Sequence, residues 1–262
     1  MNKTAIVFGV RNERSIAFAV AKKLHESGIR TAVSYTADTK EDVLFYLQNA
    51  GMDPALTGEV NVQDESQIKA FVEKVAEHGG HIDYVLHSVA FGNHRVLCTK
   101  LPMSEEPATN YLDIPFEDLA EALDISAYSL LRICRVVKPH LSPNASILTM
   151  TYNASQRVVP AYAGMSVAKA ALENIMKYLA YHFGQEGHRV NALSPGLLMT
   201  TSAAGITNVR TMRKKSKEAS PLGNIKLEDV AEAAMYYFSD ASKRVCGNIH
   251  YVDGGLNIMG ID

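Results

Sequence analysis

The sequence of 262 residues has no tryptophan and no long uninterrupted apolar run. About 20 consecutive apolar residues are needed for a helix that spans a bilayer. The sequence also lacks an excess of charge of either sign, because 26 basic and 28 acidic residues give a formal net charge of −2. Strong positive charge is typical of proteins that bind nucleic acid or membrane surfaces. We therefore expect neither a nucleic-acid nor a membrane partner.

Cysteine is scarce, with Cys98, Cys134 and Cys246 alone. An odd number of cysteines without metal-ligand spacing predicts neither a disulfide framework nor a metal site. We interpret all three as small buried or half-buried thiols, and we expect a cytoplasmic location. The opening "MNKTAIVFGV" reaches a polar turn too soon for a signal peptide, which agrees with that expectation. His87, near the end of an apolar run, is interpreted as a structural histidine.

Short apolar runs alternate with helical patterns along the chain, beginning with "TAIVFGV" and "SIAFAVAKKLHESG". Such alternation predicts right-handed crossovers and a parallel sheet covered by helices on both faces. Neither a linker nor a repeat interrupts the pattern. We therefore predict an α/β fold, a single-domain Rossmann-like doubly wound sheet over residues 1–262, with ligands bound beyond the carboxyl ends of its strands.

The first predicted turn, "GVRNERSIA", lacks the G-x-G-x-x-G pattern that is typical of dinucleotide-binding folds. Gly9 alone would let the backbone approach a pyrophosphate, while Ser15 and the free amides of the following helix would donate hydrogen bonds to it. Ser15 equally fits a helix cap that stabilises the helix and nothing more. Both interpretations stay open at this point.

The end of the second predicted strand, "VSYTADTKED", is where the adenosine ribose of a dinucleotide would lie. Thr36 and Asp38 stand there, and a carboxylate would repel the 2′-phosphate of NADPH. NADH is therefore favoured over NADPH. Arg11 and Lys40 keep NADPH open as the alternative.

Two tyrosines and a lysine lie within "YNASQRVVPAYAGMSVAK", residues 152–169. Tyr162 and Lys169 are seven residues apart, about two helical turns, so both should lie on one face of a helix. Tyr152, at the exit of a predicted strand, can reach the same cleft. We expect the Lys169 ammonium to tune the Tyr162 phenol and to bind ribose hydroxyls. The alternative is a packed Tyr162 beside a solvated Lys169.

The segments "RVNALSPG" (189–196) and "VDGG" (252–255) resemble the short-chain dehydrogenases/reductases. The commoner pattern there is Tyr-x-x-x-Lys with an upstream serine, and this chain has Met165 and Tyr152 at those two positions. Its Tyr-x6-Lys spacing, with a second tyrosine ten residues upstream, instead resembles the NADH-dependent enoyl-acyl-carrier-protein reductases of bacterial fatty-acid biosynthesis. "GVRNERSIAFAVAKKLHESG", "ISAYSL" and "SAAGI" resemble the same family.

The resemblance implies an oxidoreductase of lipid metabolism that transfers hydride to the β-carbon of a trans-2-enoyl thioester, carried by acyl carrier protein or by CoA. Tyr162 would donate a hydrogen bond to the thioester oxygen on which negative charge develops. Tyr152 would support Tyr162, and Lys169 would hold the nicotinamide ribose. A homotetramer is also implied. The alternatives are a divergent reductase of a specialised, polyketide-like pathway and a non-catalytic cofactor-binding homologue.

The resemblance further implies a set of residues along the cofactor. They are Gly9, Ser15 and Ile16 at the pyrophosphate, Thr36 at the adenosine ribose, Asn61 and Val62 at the adenine, Val89 at the central ribose, Lys169 at the nicotinamide ribose, and Leu198, Met199, Thr200, Thr201 and Ser202 along the carboxamide and phosphates. Gly92, Tyr152 and Tyr162 would bind the substrate.

Two segments border this predicted site. Residues 198–212 are expected to close over the substrate. Residues 92–119 form a connection several residues longer than the family's usual one. This longer loop would set substrate specificity, since loops on rigid scaffolds carry that role. It would equally be a tolerated insertion, since lengthening a loop costs little free energy.

Overall fold

One parallel sheet of seven strands lies at the centre of the molecule, with strand order β3-β2-β1-β4-β5-β6-β7. The computed structural model describes residues 3–99, 107–200 and 208–260. The strands are β1 (Thr4–Phe8), β2 (Arg30–Tyr35), β3 (Thr57–Glu59), β4 (Ile82–His87), β5 (Leu141–Met150), β6 (Arg189–Pro195) and β7 (Ile249–Val252). Every neighbouring pair is parallel.

Helices connect the strands and cover both faces of the sheet. They are α1 (Ile16–Glu26), α2 (Lys40–Asn49), α3 (Glu65–Gly79), α4 (His94–Leu97), α5 (Phe116–Leu123), α6 (Ser129–Val137), α7 (Ala163–Gly184), α8 (Val209–Ala219) and α9 (Leu227–Phe238). A π-helical turn, Asp124–Tyr128, joins α5 to α6. Among the described helices, none has the length and apolar character needed to cross a bilayer.

The central strand β1 shows why the core has two halves. Its five residues are all buried, as expected for a strand with helices on both faces. Ile6 and Phe8 join a core cluster with α3, α6 and α7, whereas Ala5 and Val7 join a second cluster with α1, α2 and α9. The alternation follows from the two-residue period of a strand. The predicted doubly wound fold is confirmed.

The strand order reverses beside β1, which pairs with β2 on one side and β4 on the other. In such sheets the crevice at the reversal point, outside the carboxyl ends, is where ligands bind. Phe8 on β1 is in register with His87 on β4, which in turn faces Thr149 on β5. The residues that follow these three strands therefore emerge together at one edge.

Candidate active site

A cleft of about 320 Å³ opens at this edge of the sheet. Most of the residues singled out from the sequence line it: Gly9, Ser15, Ile16, Thr36, Asn61, Val62, Val89, Tyr152, Tyr162, Lys169, Leu198 and Thr200. Its walls are mainly apolar. Among the residues that the structure describes, no group of histidine, cysteine and acidic side chains is arranged to hold a metal ion.

Gly9 is needed where β1 meets the cleft. Its φ of +97° is one that only glycine adopts without strain, and a Cβ there would lie 2.3 Å from the carbonyl oxygen of Ser88. The backbone of β1 thus runs directly against the exit of β4. This close approach leaves the backbone bare toward the cleft, which suits a pyrophosphate.

Ser15 caps the helix that follows. Its Oγ accepts a hydrogen bond from the amide of Phe18 at 3.3 Å and donates one to the carbonyl of Asn12 at 2.7 Å. The helix-cap interpretation of Ser15 is therefore confirmed. Because Ser15 and Ile16 line the cleft, the positive end of α1 points toward it, which favours an anionic ligand.

Arg11 and Thr36 line the cleft near the end of β2, where they form a polar cluster with Asp38. Arg11 Nη2 lies 2.8 Å from one carboxylate oxygen of Asp38, and Thr36 Oγ1 donates to the other at 2.5 Å. The hydrogen bond from Thr36, together with Arg11, lowers the pKa of Asp38. Asp38 therefore stays ionised and neutralises the nearby arginine.

Asn61 and Val62 form the turn after β3. The Asn61 side-chain oxygen accepts a hydrogen bond from the Gln63 amide at 3.0 Å, so this atom is already used once within the turn. The carbonyl of Val62 accepts from Arg132 at 2.8 Å, and Arg132 also pairs with Asp124. These contacts fix the turn, while the Asn61 side chain stays exposed.

Tyr152 and Tyr162 both line the cleft and meet edge to face, with ring centroids 5.1 Å apart. Tyr152 follows β5, and Tyr162 is the cap residue before α7 rather than its first helical residue. Ala161, at φ 64°, makes the turn that delivers it. Within the part of the chain that the structure describes, neither phenolic oxygen has a hydrogen-bond partner.

The expected tuning of Tyr162 by Lys169 is not what the structure shows. Burial raises the pKa of Tyr162 well above its ordinary value, and Tyr152 raises it further. Burial likewise raises the pKa of Tyr152. Both phenols therefore remain protonated at neutral pH. They are suited to donating hydrogen bonds rather than to losing protons.

Lys169 is buried, with 4% of its surface exposed, rather than solvated. Its Nζ donates to the carbonyl of Met150, the last residue of β5, at 2.9 Å. Burial lowers the pKa of Lys169 to about 8, and the nearby Glu173 opposes that shift. An ammonium has three donors, so Lys169 can still donate to a ligand in the cleft that it lines.

Glu173 is a residue near the site that the sequence patterns did not indicate. It lies one turn beyond Lys169 on α7 and is 6% exposed. Its Oε1 accepts from the hydroxyls of Thr151 and Ser155, each at 2.6 Å. A glutamate inside the apolar stretch "ALENIM" was the available signal, because a buried carboxylate needs partners.

His87 is a fully buried structural histidine, as interpreted from the sequence. Its ring nitrogens lie 2.8 Å from Thr149 Oγ1 and from Ser129 Oγ. The Ser129 hydroxyl donates its hydrogen to the carbonyl of Ile125, so it must accept a hydrogen bond from His87. His87 therefore carries its hydrogen on Nε2. Burial, with a smaller contribution from Lys169, lowers the pKa of His87 to about 3. The ring is therefore neutral.

Other predicted site residues are placed differently. Met199 does not line the cleft, although Leu198 and Thr200 on either side of it do. Gly92 also lies off the cleft and packs on Met165, since a Cβ there would meet the Met165 Sδ at 2.7 Å. Thr201 and Ser202 lie outside the described residues, as do 201–207 of the segment 198–212 and 100–106 of the segment 92–119.

Comparison with known proteins decides the family. The model of the enoyl-(acyl carrier protein) reductase family matches residues 9–257. The chain belongs to this family. It is 34% identical to the enoyl-[acyl-carrier-protein] reductase [NADH] FabI of Aquifex aeolicus, over 99% of this chain and 93% of that protein. It is 36% identical to the FabI of Synechocystis sp., over 99% of this chain and 98% of that protein.

Solved structures of enoyl-acyl-carrier-protein reductases have the same fold. The enzyme of Bacillus cereus, crystallised with NADP+ and indole naphthyridinone, superposes with a TM-score of 0.91 at 33% identity, covering 100% of both chains. The NADH enzyme of Aquifex aeolicus gives 0.90 at 33% identity, covering 99% of this chain and 98% of that chain. The resemblance inferred from the sequence is thus confirmed.

Proposed function

We propose that this enoyl-acyl-carrier-protein reductase uses NADH to reduce the 2,3 double bond of a trans-2-enoyl thioester in fatty-acid biosynthesis. The observation that carries the assignment is the pair of protonated phenols, Tyr152 and Tyr162, placed with Lys169 in a cleft at the reversal point of a dinucleotide-binding sheet. The activity of the family supports it.

The residues of the cleft fit a dinucleotide. Gly9 and the amino end of α1 would take the pyrophosphate, Thr36 the adenosine ribose, and Lys169 the nicotinamide ribose. When bound, NADH supplies the hydride for the β-carbon of the substrate. Asp38, ionised and paired with Arg11, would repel a 2′-phosphate, and for this reason NADH is preferred to NADPH.

Tyr162 is proposed as the electrophilic donor. As hydride reaches the β-carbon, the electron pair of the double bond moves toward the thioester oxygen. The Tyr162 hydroxyl donates a hydrogen bond to that oxygen and stabilises the developing enolate. Its raised pKa keeps the proton on the phenol throughout. The α-carbon then takes a proton from solvent, so one hydride and one proton are consumed.

Reduction of a ketone is not supported. That reaction protonates the oxygen on the carbon that receives the hydride, so its donor must lie closer to the nicotinamide. The position that carries this tyrosine in the commoner short-chain pattern is Met165 here, and it is buried. A thioether donates no proton.

A carrier-linked substrate is proposed on the charge of α8. This helix bears one acidic residue, Glu218, and five basic residues. The basic residues are Arg210, Arg213, Lys214, Lys215 and Lys217. The first four residues of the helix are also the last four of the segment 198–212 that is proposed to cover the substrate. A basic helix that continues the substrate-covering segment would attract an acidic carrier surface and raise the rate of association.

We further propose a single domain over residues 1–262, a homotetramer and a cytoplasmic location. The continuous sheet supports the single domain. The homotetramer is supported by Tyr178 and Tyr181, which are 65% and 64% exposed on the outer side of α7, where a neighbouring subunit would cover them. The specialised-pathway reductase and the non-catalytic homologue remain the alternatives that activity must exclude.

The test is the loss of NADH absorbance with a short trans-2-enoyl group on acyl carrier protein and on CoA. We expect turnover with both, and a lower KM with acyl carrier protein. A 3-ketoacyl thioester is the contrasting substrate, and appreciable turnover of it would overturn the assignment. Measurable NADH binding without turnover of any enoyl carrier would support the specialised or non-catalytic alternatives.

A further inference from the structure

Glu173 is a buried acidic side chain next to Lys169 on α7, and the proposed reaction assigns it no role. It lies on α7, with both Thr151 and Ser155 donating to its Oε1 at 2.6 Å. These two hydroxyls flank Tyr152 in the chain. A buried carboxylate carries a large desolvation penalty, which hydroxyl donors and nearby positive charge offset.

The first consequence concerns geometry. Tyr152 leaves β5 in an extended conformation, and a short helical turn, Asn153–Ser155, follows it. Glu173 ties the residue before Tyr152 and the last residue of that turn to α7. The segment that carries Tyr152 is therefore held at both sides by one side chain. The ring of Tyr152 is in turn packed against that of Tyr162.

The second consequence concerns charge. Lys169 and Glu173 are four positions apart on α7, so their Cβ atoms are neighbours about 5–6 Å apart. Lys169 is buried and would lose its proton readily without a compensating negative charge. His87, the other titratable group close to it on the sheet side, is neutral.

Other groups around Glu173 do not replace it. The charge of Glu173 raises the pKa of Tyr251 on β7, after the larger effect of burial. Asp253 also raises the pKa of Tyr251, whereas Arg157 lowers it. The phenols of Tyr152 and Tyr162 carry no charge in the pH range of interest, because their pKa values are raised. Among the described charged groups, Glu173 is the one whose charge opposes the loss of the proton from Lys169.

We propose that Glu173 is a positioning residue of the active site: it fixes the segment that bears Tyr152 and keeps Lys169 charged. Glu173 itself contacts neither substrate nor cofactor, since it does not line the cleft. The assignment rests on the proposed function only where turnover is the measurement. Its electrostatic part concerns the protein without any ligand.

The experiment compares wild type with Glu173→Gln, which keeps the volume and one oxygen acceptor but removes the charge. The ammonium of Lys169 is followed by NMR of protein labelled with carbon-13 at the lysine Cε, its resonance being assigned by its loss in Lys169→Arg. We expect Lys169 to titrate at least about one pH unit lower in the variant. An unchanged titration would overturn the electrostatic part.

Activity gives the second measurement. In Glu173→Gln the basic limb of kcat/KM should move to lower pH by the same amount, whereas a residue that only stabilises the fold would leave that limb in place. Glu186 is an exposed glutamate after the end of α7, and Glu186→Gln is the control for the loss of one carboxylate. If wild type reduces no enoyl thioester, the proposed function fails while the NMR result still decides the role of Glu173.

A second pair of variants tests the geometry and guards against a Glu173→Gln protein that does not fold. Thr151→Val and Ser155→Ala leave the Glu173 carboxylate in place but remove its two hydroxyl donors. We expect kcat to fall at least fivefold in the double variant, with the basic limb unmoved and NADH binding retained. Wild-type kcat in a folded double variant would overturn the claim that Glu173 positions Tyr152.

Discussion

The ring of Tyr152 packs edge to face on the ring of Tyr162, with centroids 5.1 Å apart and planes inclined at 71°. The two side chains come from different elements, one from the exit of β5 and the other from the residue before α7. Their contact brings both phenols to the wall of one cleft. It also makes one phenol the packing support of the other.

The first prediction separates the two tyrosines. Tyr162→Phe removes the donor proposed for the enolate oxygen, and the loss of one such donor costs roughly 10²-fold in kcat. Tyr152→Phe keeps the ring that supports Tyr162 and should cost less. NADH affinity, measured by fluorescence titration, should change little in either variant. Tyr236→Phe, at an exposed position on α9, is the control.

A larger loss from Tyr152→Phe than from Tyr162→Phe would reverse the two roles. The pH profile gives an independent check. Because the pKa of Tyr162 is raised, its phenol should contribute no basic limb to kcat below about pH 10 in wild type.

The second prediction concerns the choice of cofactor. Asp38→Asn removes the carboxylate that neutralises Arg11, and leaves the guanidinium able to pair with a 2′-phosphate. We expect the ratio of kcat/KM for NADPH to that for NADH to rise at least tenfold, equivalent to about 1.4 kcal/mol. Glu77→Gln, which removes an exposed carboxylate on α3, is the matched control. An unchanged ratio would show that Asp38 does not set the preference.

The third prediction uses two glycines that both have positive φ. In Gly28→Ala the added Cβ has no atom within 4 Å. The substitution should therefore lower the free energy of unfolding by about 1–2 kcal/mol through backbone strain alone. Gly9→Ala adds a Cβ 2.3 Å from the Ser88 carbonyl oxygen and should cost more. It should also abolish measurable NADH binding, which Gly28→Ala should retain.

Denaturant unfolding and NADH titration of the two variants test this together. Full NADH affinity in a folded Gly9→Ala protein would show that the close approach of β1 to β4 is not required for the cofactor.

The fourth prediction is a pH dependence of stability that arises from His87. Its pKa is about 3 in the folded protein and about 6.5 when unfolded, so between these values the unfolded state binds a proton that the folded state does not. The stability contributed by the neutral ring is therefore lost as pH falls from 6.5 toward 3. Between pH 7 and pH 5 the loss should be about 2 kcal/mol.

Urea unfolding at pH 7 and pH 5, at one protein concentration, measures that loss. The difference between the two pH values should shrink by about 2 kcal/mol in His87→Asn, relative to wild type. His81→Asn, at an exposed position just before β4, is the control. An unchanged difference in the His87 variant would show that the ring is protonated in the folded state near pH 5.

Local patterns in the sequence were enough to predict the order of strands and helices along the chain and the class of the sheet. Hydrophobic periodicity is a local property, and a chain that alternates strand and helix has few ways to bury its apolar faces. Local motifs also indicated five candidate site residues: Gly9, Ser15, Tyr152, Tyr162 and Lys169. Each stands at the carboxyl end of a predicted strand or near the start of the next helix.

Tertiary structure alone decided the electrostatics of the site. Arg11 pairs with Asp38, and Glu173 with Thr151 and Ser155, across separations in the chain at which no periodicity acts. Burial reversed the expected tuning of Tyr162, because desolvation depends on every neighbouring element rather than on the nearest cation. The sequence places the chemical groups at one edge of the sheet, and packing around them sets their charges.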